Sequence, residues 1–267
     1  MQYQRHLRCM LCAAISLAFT AVSPAQTAPA KKFVVYDNIY YPGKPDTAPY
    51  GMLPINLIYE KDIWPNKGNE SLLPVRRDFD ALVRNATKPG PVVLDVELLG
   101  NNSAEHELVL ATLADWTHQD LPGKVVGFYG TNTLTKVKPE NMEYAKELAT
   151  HVDAMFPPMY TYDKDHDAWA ARAAKVVAEA HTFAPGKPVY FYLQPQYHHT
   201  TPLAYQYVEE EYWAFQLQTA RPLVDGVVIW TGLRWDWDNS AGWWIATQAF
   251  LKTLSTPAAQ MPQPVKP

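Results

Sequence analysis

The chain has 267 residues, and its 23 Lys and Arg against 27 Asp and Glu give a mildly negative net charge of −4. Because the basic residues form no stripe, neither a nucleic acid nor an anionic membrane is expected as a partner. Both cysteines, Cys9 and Cys12, lie in the apolar N-terminal segment. The rest of the chain therefore contains neither a cysteine nucleophile nor a thiolate ligand for a metal.

The N-terminal segment has the order of a secretory signal peptide. Arg5 and Arg8 precede an almost continuous apolar run over residues 11–22, and small residues follow it. The run is too short for a transmembrane helix, and an uncleaved N-terminal anchor is the alternative interpretation. We expect a signal peptide over residues 1–28 and a mature protein that is secreted or periplasmic, monomeric and free of the membrane.

After this segment, short apolar runs alternate with longer amphipathic ones. The short runs are apolar on both faces, as strands of a helix-covered parallel sheet are. The predicted strands cover residues 33–36, 55–59, 92–97, 125–129, 154–156, 189–193 and 226–230. The predicted helices cover residues 72–85, 104–118, 139–151, 167–181, 208–220 and 243–254.

This alternation predicts an α/β fold, for which two architectures compete. A doubly wound sheet that binds a nucleotide would carry a glycine-rich turn after its first strand, but Asp37-Asn38-Ile39-Tyr40 follows it here. Polar and aromatic residues recur instead after successive strands, at the end where barrels carry their active sites. We predict one TIM-like (β/α) barrel domain over residues 31–254 and a disordered, Pro-rich tail over residues 255–267.

Asp95 and Glu97 are the candidate catalytic residues. Alternate residues of a strand point the same way, so both carboxylates share one face of the predicted strand 92–97. Adjacent carboxylates repel each other, and the pKa of one should rise, which leaves an acid beside an ionised neighbour. A glycosidase needs this pair. In the alternative interpretation, Asp95 caps a loop and Glu97 pairs with an arginine.

Other strand ends supply candidate sugar-binding residues. The chain contains 16 Tyr and 9 Trp, and aromatic rings of this kind either pack a core or stack on sugars. Their recurrence at one rim of a barrel favours a sugar-binding cleft. The candidate substrate-binding residues are Tyr36, Asp37, Glu60, Trp64, Tyr129, Tyr160, Tyr192, Gln194 and Trp230.

The sequence favours neither a metal site nor a cofactor. Asp163, Asp165 and Asp167 are better explained as an acidic helix N-terminus than as a calcium loop. His198 and His199 are adjacent, and on an extended segment they should face opposite ways. No HExxH or GxSxG motif occurs. We therefore expect no metal, no cofactor and no covalent serine chemistry.

Five short motifs follow one another along the chain: Leu94-Asp95-Val96-Glu97, Gly127-Phe128-Tyr129, Pro157-Pro158-Met159-Tyr160, Pro188-Val189-Tyr190-Phe191-Tyr192 and Gly226-Val227-Val228-Ile229-Trp230. In this order they resemble the D-[WF]-E, G-Y-Y, P-S-[IV]-Y, tyrosine-rich and G-[FV]-[VI]-I-W-G motifs of the hyaluronidase family. The resemblance implies a distant bacterial-type relative with a distorted seven-strand barrel.

The resemblance also implies roles for individual residues. Glu97 would be the general acid/base, and Asp95 would orient a substrate N-acetyl group that attacks the anomeric carbon in place of an enzyme nucleophile. The subsite for the distorted sugar would be shaped by Tyr160, Tyr192 and Trp230. The family places arginine and tryptophan soon after the glutamate, whereas residues 98–101 are Leu-Leu-Gly-Asn here. The family's disulfides are also absent, and hyaluronan itself is not implied as the substrate.

Three functions remain open from the residues. The first is an exported, retaining glycoside hydrolase, substrate-assisted if its glycan contains N-acetylhexosamine. The second is a non-catalytic carbohydrate-binding barrel in which Asp95 and Glu97 only hydrogen-bond sugar hydroxyls. The third is a classical two-carboxylate glycosidase that needs no N-acetyl group, with Glu60 or Asp37 as the second carboxylate.

Overall fold

The computed structural model describes residues 32–66, 72–97, 103–130, 139–232 and 235–255. The predicted signal peptide, residues 1–28, and residues 256–267 of the predicted tail lie outside these ranges. The strands are β1 (Val34–Asn38), β2 (Leu53–Pro54), β3 (Asn56–Tyr59), β4 (Val92–Asp95), β5 (Val126–Phe128), β6 (Tyr190–Leu193) and β7 (Gly226–Trp230). The helices are α1 (Glu60–Ile63), α2 (Arg76–Arg84), α3 (Ala104–Asp120), α4 (Met142–Thr150), α5 (His166–Phe183), α6 (Glu210–Leu223) and α7 (Gly242–Ser255).

The strands form two parallel sheets, and two chain segments pair with strands of both sheets. One sheet has the order β2-β1-β7-β6, and the other has the order β3-β4-β5. Residues 53–59 pair with β1 at their start and with β4 at their end. On the opposite side, residues 155–158 form parallel bridges to Tyr129, Val189 and Tyr192. Backbone pairing therefore runs through seven strand positions in a ring, which is a distorted TIM-like barrel.

Successive side chains of each strand point alternately outward and inward, and they form two apolar layers, one on each side of the strands. The larger layer lies between strands and helices and contains Val92, Leu94 and Val96. The smaller one takes the alternate positions, which point into the ring. The smaller layer consists of Tyr36, Ile55, Val93, Tyr129, Ala154, Phe156, Tyr160, Tyr192 and Val228. Asp95 and Glu97 continue the inward series of Val93, so the predicted common face is confirmed.

Several predicted boundaries were wrong for identifiable reasons. The strand predicted over residues 92–97 ends at Asp95, where its pairing with the neighbouring β3 ends opposite Tyr59. The helix predicted from residue 72 begins at Arg76. Pro74 has no N–H and disfavours a helical conformation for the residue before it, so the helix cannot include residues 72 and 73.

The predicted strand 154–156 exists as isolated bridges rather than as a regular strand. Met155 accepts a hydrogen bond from the Tyr190 N–H (2.8 Å), and Pro157 accepts one from the Tyr192 N–H (2.9 Å). Two consecutive prolines, Pro157 and Pro158, cannot donate to a ladder. The segment therefore completes the ring through isolated bridges and separate backbone hydrogen bonds rather than through a regular ladder.

The helices cover the outside of the strands. At the contact of α6 with α7, the buried Trp213 indole donates to Thr247 Oγ1 (2.9 Å). The acidic helix start is as predicted, since Asp165 is the N-cap of α5 and accepts from the Ala168 N–H (2.9 Å). Within the described ranges, no helix is both long and apolar enough to cross a membrane.

Candidate active site

A cavity of about 390 Å³ opens at the carboxyl end of the strands. It lies where the inward-facing residues of successive strands come together above the barrel core. Its described lining consists of Leu57, Asp95, Glu97, Tyr129, Tyr160, Tyr192, Gln194, His198, His199, Tyr205, Trp230, Gly232 and Trp235. Both predicted catalytic carboxylates and five of the predicted substrate-binding residues are therefore brought together.

Asp95 and Glu97 occupy different depths in this cavity. Asp95 is the last residue of β4 and is half-buried, whereas Glu97 lies beyond the strand and is exposed. The difference follows from the end of the strand ladder at Tyr59 and Asp95. Residues 98–101, where the sequence departs from the hyaluronidase pattern, lie outside the described residues.

Three tyrosines surround Asp95, and we call Tyr129, Tyr160 and Tyr192 the tyrosine cluster. The Tyr129 hydroxyl donates to the Tyr160 hydroxyl (3.0 Å), and the rings of Tyr129 and Tyr192 meet edge-on at 5.0 Å. Trp230 extends the cluster with a ring 6.2 Å from Tyr160. The result is an aromatic wall beside the half-buried carboxylate.

Burial and charge keep the cluster protonated. Burial, followed by the charge of Asp95, raises the pKa of Tyr192 well above its ordinary value. Burial, followed by the neighbouring Tyr129, raises the pKa of Tyr160 in the same way. The Tyr192 hydroxyl is buried and has no hydrogen-bond partner among the described residues. A neutral phenol in this position can donate a hydrogen bond to a bound ligand.

Helices behind the barrel hold the segment that carries Tyr160. Arg172 on α5 donates to the Tyr160 carbonyl (2.6 Å), and its guanidinium lies 4.9 Å from the Tyr162 ring. Gln216 on α6 donates to Thr161 Oγ1 (2.8 Å). These bonds add to the backbone pairing of this part of the ring and hold the segment that carries the Tyr160 ring.

The rim of the cavity contains residues that the sequence did not indicate as ligand contacts. The His198 ring stacks on Tyr160 at 5.7 Å, and the Tyr205 ring lies 5.4 Å from Trp235. The expectation that His198 and His199 face opposite ways was wrong, because their rings approach to 4.1 Å. Tyr205 comes twelve residues after the end of β6, so no strand periodicity marks it. In the described part of the chain, no group of three or more His, Cys, Asp and Glu side chains could hold a metal ion.

Four predicted substrate-binding residues do not line the cavity. Asp37 faces the outside of β1 and accepts hydrogen bonds from Lys44 Nζ (2.5 Å) and Thr47 Oγ1. Tyr36 lies deeper in the barrel, edge-on to Tyr190 at 5.5 Å. The Trp64 indole donates to the Leu72 carbonyl (2.9 Å), and Glu60 begins α1. Proximity to a strand end in sequence did not distinguish these residues from those that line the cavity.

A barrel whose carboxyl end presents two carboxylates and an aromatic wall has the architecture of the barrel glycoside hydrolases. Among solved structures, the chain is similar to bee venom hyaluronidase at 15% sequence identity and a TM-score of 0.59, over 83% of this chain and 95% of that one. Bee venom hyaluronidase in complex with a hyaluronic acid tetramer gives 14% identity and a TM-score of 0.58, over 83% and 96% of the two chains. No family profile and no curated protein matches the sequence. The fold implied by the motif order is thus confirmed.

Proposed function

We propose that the protein is an exported glycoside hydrolase with Glu97 as general acid/base and Asp95 as the assisting carboxylate. The observation that carries this proposal is the position of both carboxylates on the inward face of one strand end, in an aromatic cavity at the mouth of the barrel. Export rests on the signal-like order of residues 1–28. The glycan is its expected partner, and no cofactor is required.

The different solvent exposure of Asp95 and Glu97 suits the two different roles proposed for them. Glu97 is exposed at the mouth, where it can protonate the oxygen of a leaving sugar and later activate a water molecule. Asp95 is half-buried beside the tyrosine cluster, where its carboxylate can accept a hydrogen bond from the N–H of an acetamido group. The Tyr192 hydroxyl can then donate to the oxygen of the same group as that oxygen attacks the anomeric carbon. This is the substrate-assisted, retaining route.

The charges of the cavity favour an uncharged glycan. Asp95 and Glu97 are the charged side chains among its described lining residues, and that lining contains neither Lys nor Arg. Among these described residues, a polyanionic chain would place its carboxylates close to like charges without a Lys or Arg to compensate them. We therefore propose a neutral glycan containing N-acetylhexosamine rather than hyaluronan as the substrate.

Release of reducing ends by the purified protein tests the proposal. The substrates are hyaluronan, chondroitin, chitin oligomers, peptidoglycan and neutral polysaccharides that lack N-acetyl groups. We expect cleavage of an N-acetylated neutral glycan and its loss, by about 10³-fold or more, in Glu97→Gln. Glu147→Gln is the charge-matched control, because that side chain is exposed on α4.

Each alternative function has its own outcome. Cleavage restricted to sugars without N-acetyl groups would retain Glu97 as the acid but overturn substrate assistance. Loss of that cleavage in Glu60→Gln would then identify the second carboxylate. If no glycan is cut while Glu97→Gln and the unmodified protein bind one equally, the protein is a carbohydrate-binding barrel.

A further inference from the structure

A second aromatic surface lies on the rim of the cavity, separate from the tyrosine cluster. Tyr205 and Trp235, which we call the rim pair, line the same cavity as Glu97. Their rings lie 5.4 Å apart with an interplanar angle of 39°. They come from the segments that follow β6 and β7, whereas Trp230 at the end of β7 lies beside the tyrosine cluster. The cavity thus has an inner and an outer aromatic surface.

The segment that carries Tyr205 is held by its own backbone. The Tyr197 N–H donates to the Gln206 carbonyl (2.9 Å), and the Tyr205 N–H donates to the Tyr197 carbonyl (3.1 Å). At the base of the segment, the Val208 N–H donates to the Pro195 carbonyl (3.0 Å). The Tyr197 hydroxyl further donates to Glu209 (2.6 Å). These bonds make the segment a closed hairpin that sets the place of Tyr205 on the rim.

Tyr205 adopts a backbone conformation that a bulky residue avoids. Its φ is +66°, and among the described residues every other residue with a positive φ is a glycine. A left-handed conformation is unfavourable for a residue with a Cβ, and glycine would adopt it without strain. Strained residues concentrate at ligand-binding sites, and Tyr205 lines the cavity, so the conformation is consistent with a role for its ring in binding.

The chemistry of the rim pair fits a sugar ring. The apolar C–H face of a pyranose packs on an aromatic ring, and the hydroxyl of Tyr205 and the indole N–H of Trp235 can donate hydrogen bonds to its edge. His198 also lines the cavity and stacks on Tyr160 at 5.7 Å. The bond between its Nδ1 and Thr200 Oγ1 (2.8 Å) holds the ring in place.

We propose that Tyr205 and Trp235 form a second sugar subsite beside the catalytic one. This inference rests on the proposed function and adds to it that the substrate is a chain of at least two consecutive hexopyranose residues. The sugar at the tyrosine cluster reacts, and the rim pair binds its neighbour. The pair therefore determines the preference for a glycan chain over a single sugar carrying a small leaving group.

Kinetics on short and long substrates test the subsite. We expect Trp235→Ala and Tyr205→Ala to lower kcat/KM on a tetrasaccharide by about tenfold or more, the loss expected from an aromatic contact. Hydrolysis of a single-sugar aryl glycoside should change by less than about threefold. Tyr50→Ala is the control, because Tyr50 is an exposed tyrosine that does not line the cavity. Equal losses on both substrates, or no loss on either, would overturn the subsite.

Binding to Glu97→Gln separates this inference from the proposed function. In that background we expect Trp235→Ala to weaken tetrasaccharide binding by about tenfold while monosaccharide binding stays the same. This result would support the subsite even if the unmodified protein cleaves nothing and the proposed activity fails. Tetrasaccharide binding that is unaffected by Trp235→Ala would overturn the subsite even if Glu97 proves to be the acid.

A glycine variant tests the meaning of the strain at Tyr205. Tyr205→Gly relieves the left-handed conformation and removes the ring, so we expect an unchanged or higher unfolding midpoint together with the tetrasaccharide defect of Tyr205→Ala. A lower midpoint with unchanged oligosaccharide kinetics would show that Tyr205 serves only the fold.

Discussion

At the scale of single residues, Asp95 and Glu97 show that two neighbouring carboxylates of one site can differ in solvent exposure. Two residues apart, they point the same way, yet one is half-buried and the other exposed. The backbone pairing that positions Asp95 beside Tyr59 does not continue to Glu97. A carboxylate that must orient a group benefits from the fixed position, and one that must exchange a proton with solvent benefits from exposure.

Tyr192→Phe separates a ligand-binding hydroxyl from a structural one. The Tyr192 hydroxyl is buried without a partner among the described residues, so its removal should leave the free energy of unfolding unchanged or higher. We expect kcat/KM to fall by about 10²-fold, as when a donor to a developing charge is lost. Urea unfolding and glycan hydrolysis provide the two measurements.

Tyr212→Phe is the matched control for that variant. The Tyr212 hydroxyl is buried and donates to the Asp165 carbonyl (3.0 Å), away from the cavity. Its removal should cost about 1 kcal/mol of stability and leave the kinetics as they are. If Tyr192→Phe instead behaves like this control, Tyr192 has no part in catalysis.

At the scale of elements, local sequence predicted the type of most elements, whereas their ends depended on the neighbouring segments. The predicted strand 92–97 ends two residues early, where its pairing with β3 ends, and the segment around Phe156 pairs only through single bridges. The three helices α3, α5 and α7 lie close to their predicted positions, and the starts of α3 and α5 are marked by the capping residues Ser103 and Asp165.

Gly127 on β5 is required by the close approach of the bridging segment. A Cβ there would lie 2.5 Å from the Ala154 carbonyl oxygen and 2.6 Å from the Phe156 ring. We expect Gly127→Ala to destabilise the protein by about 2 kcal/mol, because the barrel interior cannot move aside without losing its packing. Chemical denaturation measures this change. Gly232→Ala, where a Cβ meets nothing within 4 Å, should stay within about 0.5 kcal/mol, and an equal loss in both would contradict the packing argument.

At the scale of the whole molecule, tyrosines from distant parts of the chain gather at one end of the ring. Tyr129, Tyr160 and Tyr192 follow or belong to separate strand positions, yet they share one buried space with Asp95. Burial raises the pKa of all three tyrosines, so each phenol stays protonated at a pH where an exposed tyrosine would ionise.

This property predicts an alkaline limit to stability. In the unfolded chain the phenols ionise near their ordinary pKa of 10.0, whereas in the folded protein burial raises the pKa of Tyr160 and Tyr192 well above it. Unfolding therefore releases protons above that pH, and the free energy of unfolding should be steady below about pH 10 and fall beyond it by about 1.4 kcal/mol per pH unit for each phenol. Urea titrations across this range should give a shallower fall in Tyr192→Phe, and equal slopes would contradict the assignment.

The sequence by itself determined the α/β class, most elements and the inward face that Asp95 and Glu97 share. These are local properties, because the periods of strands and helices are written in neighbouring residues. Tertiary structure alone decided that Tyr205 meets Trp235 on the rim of the cavity. The physical reason is that a loop takes its position from backbone bonds and ring contacts with segments far along the chain, and no local period encodes them.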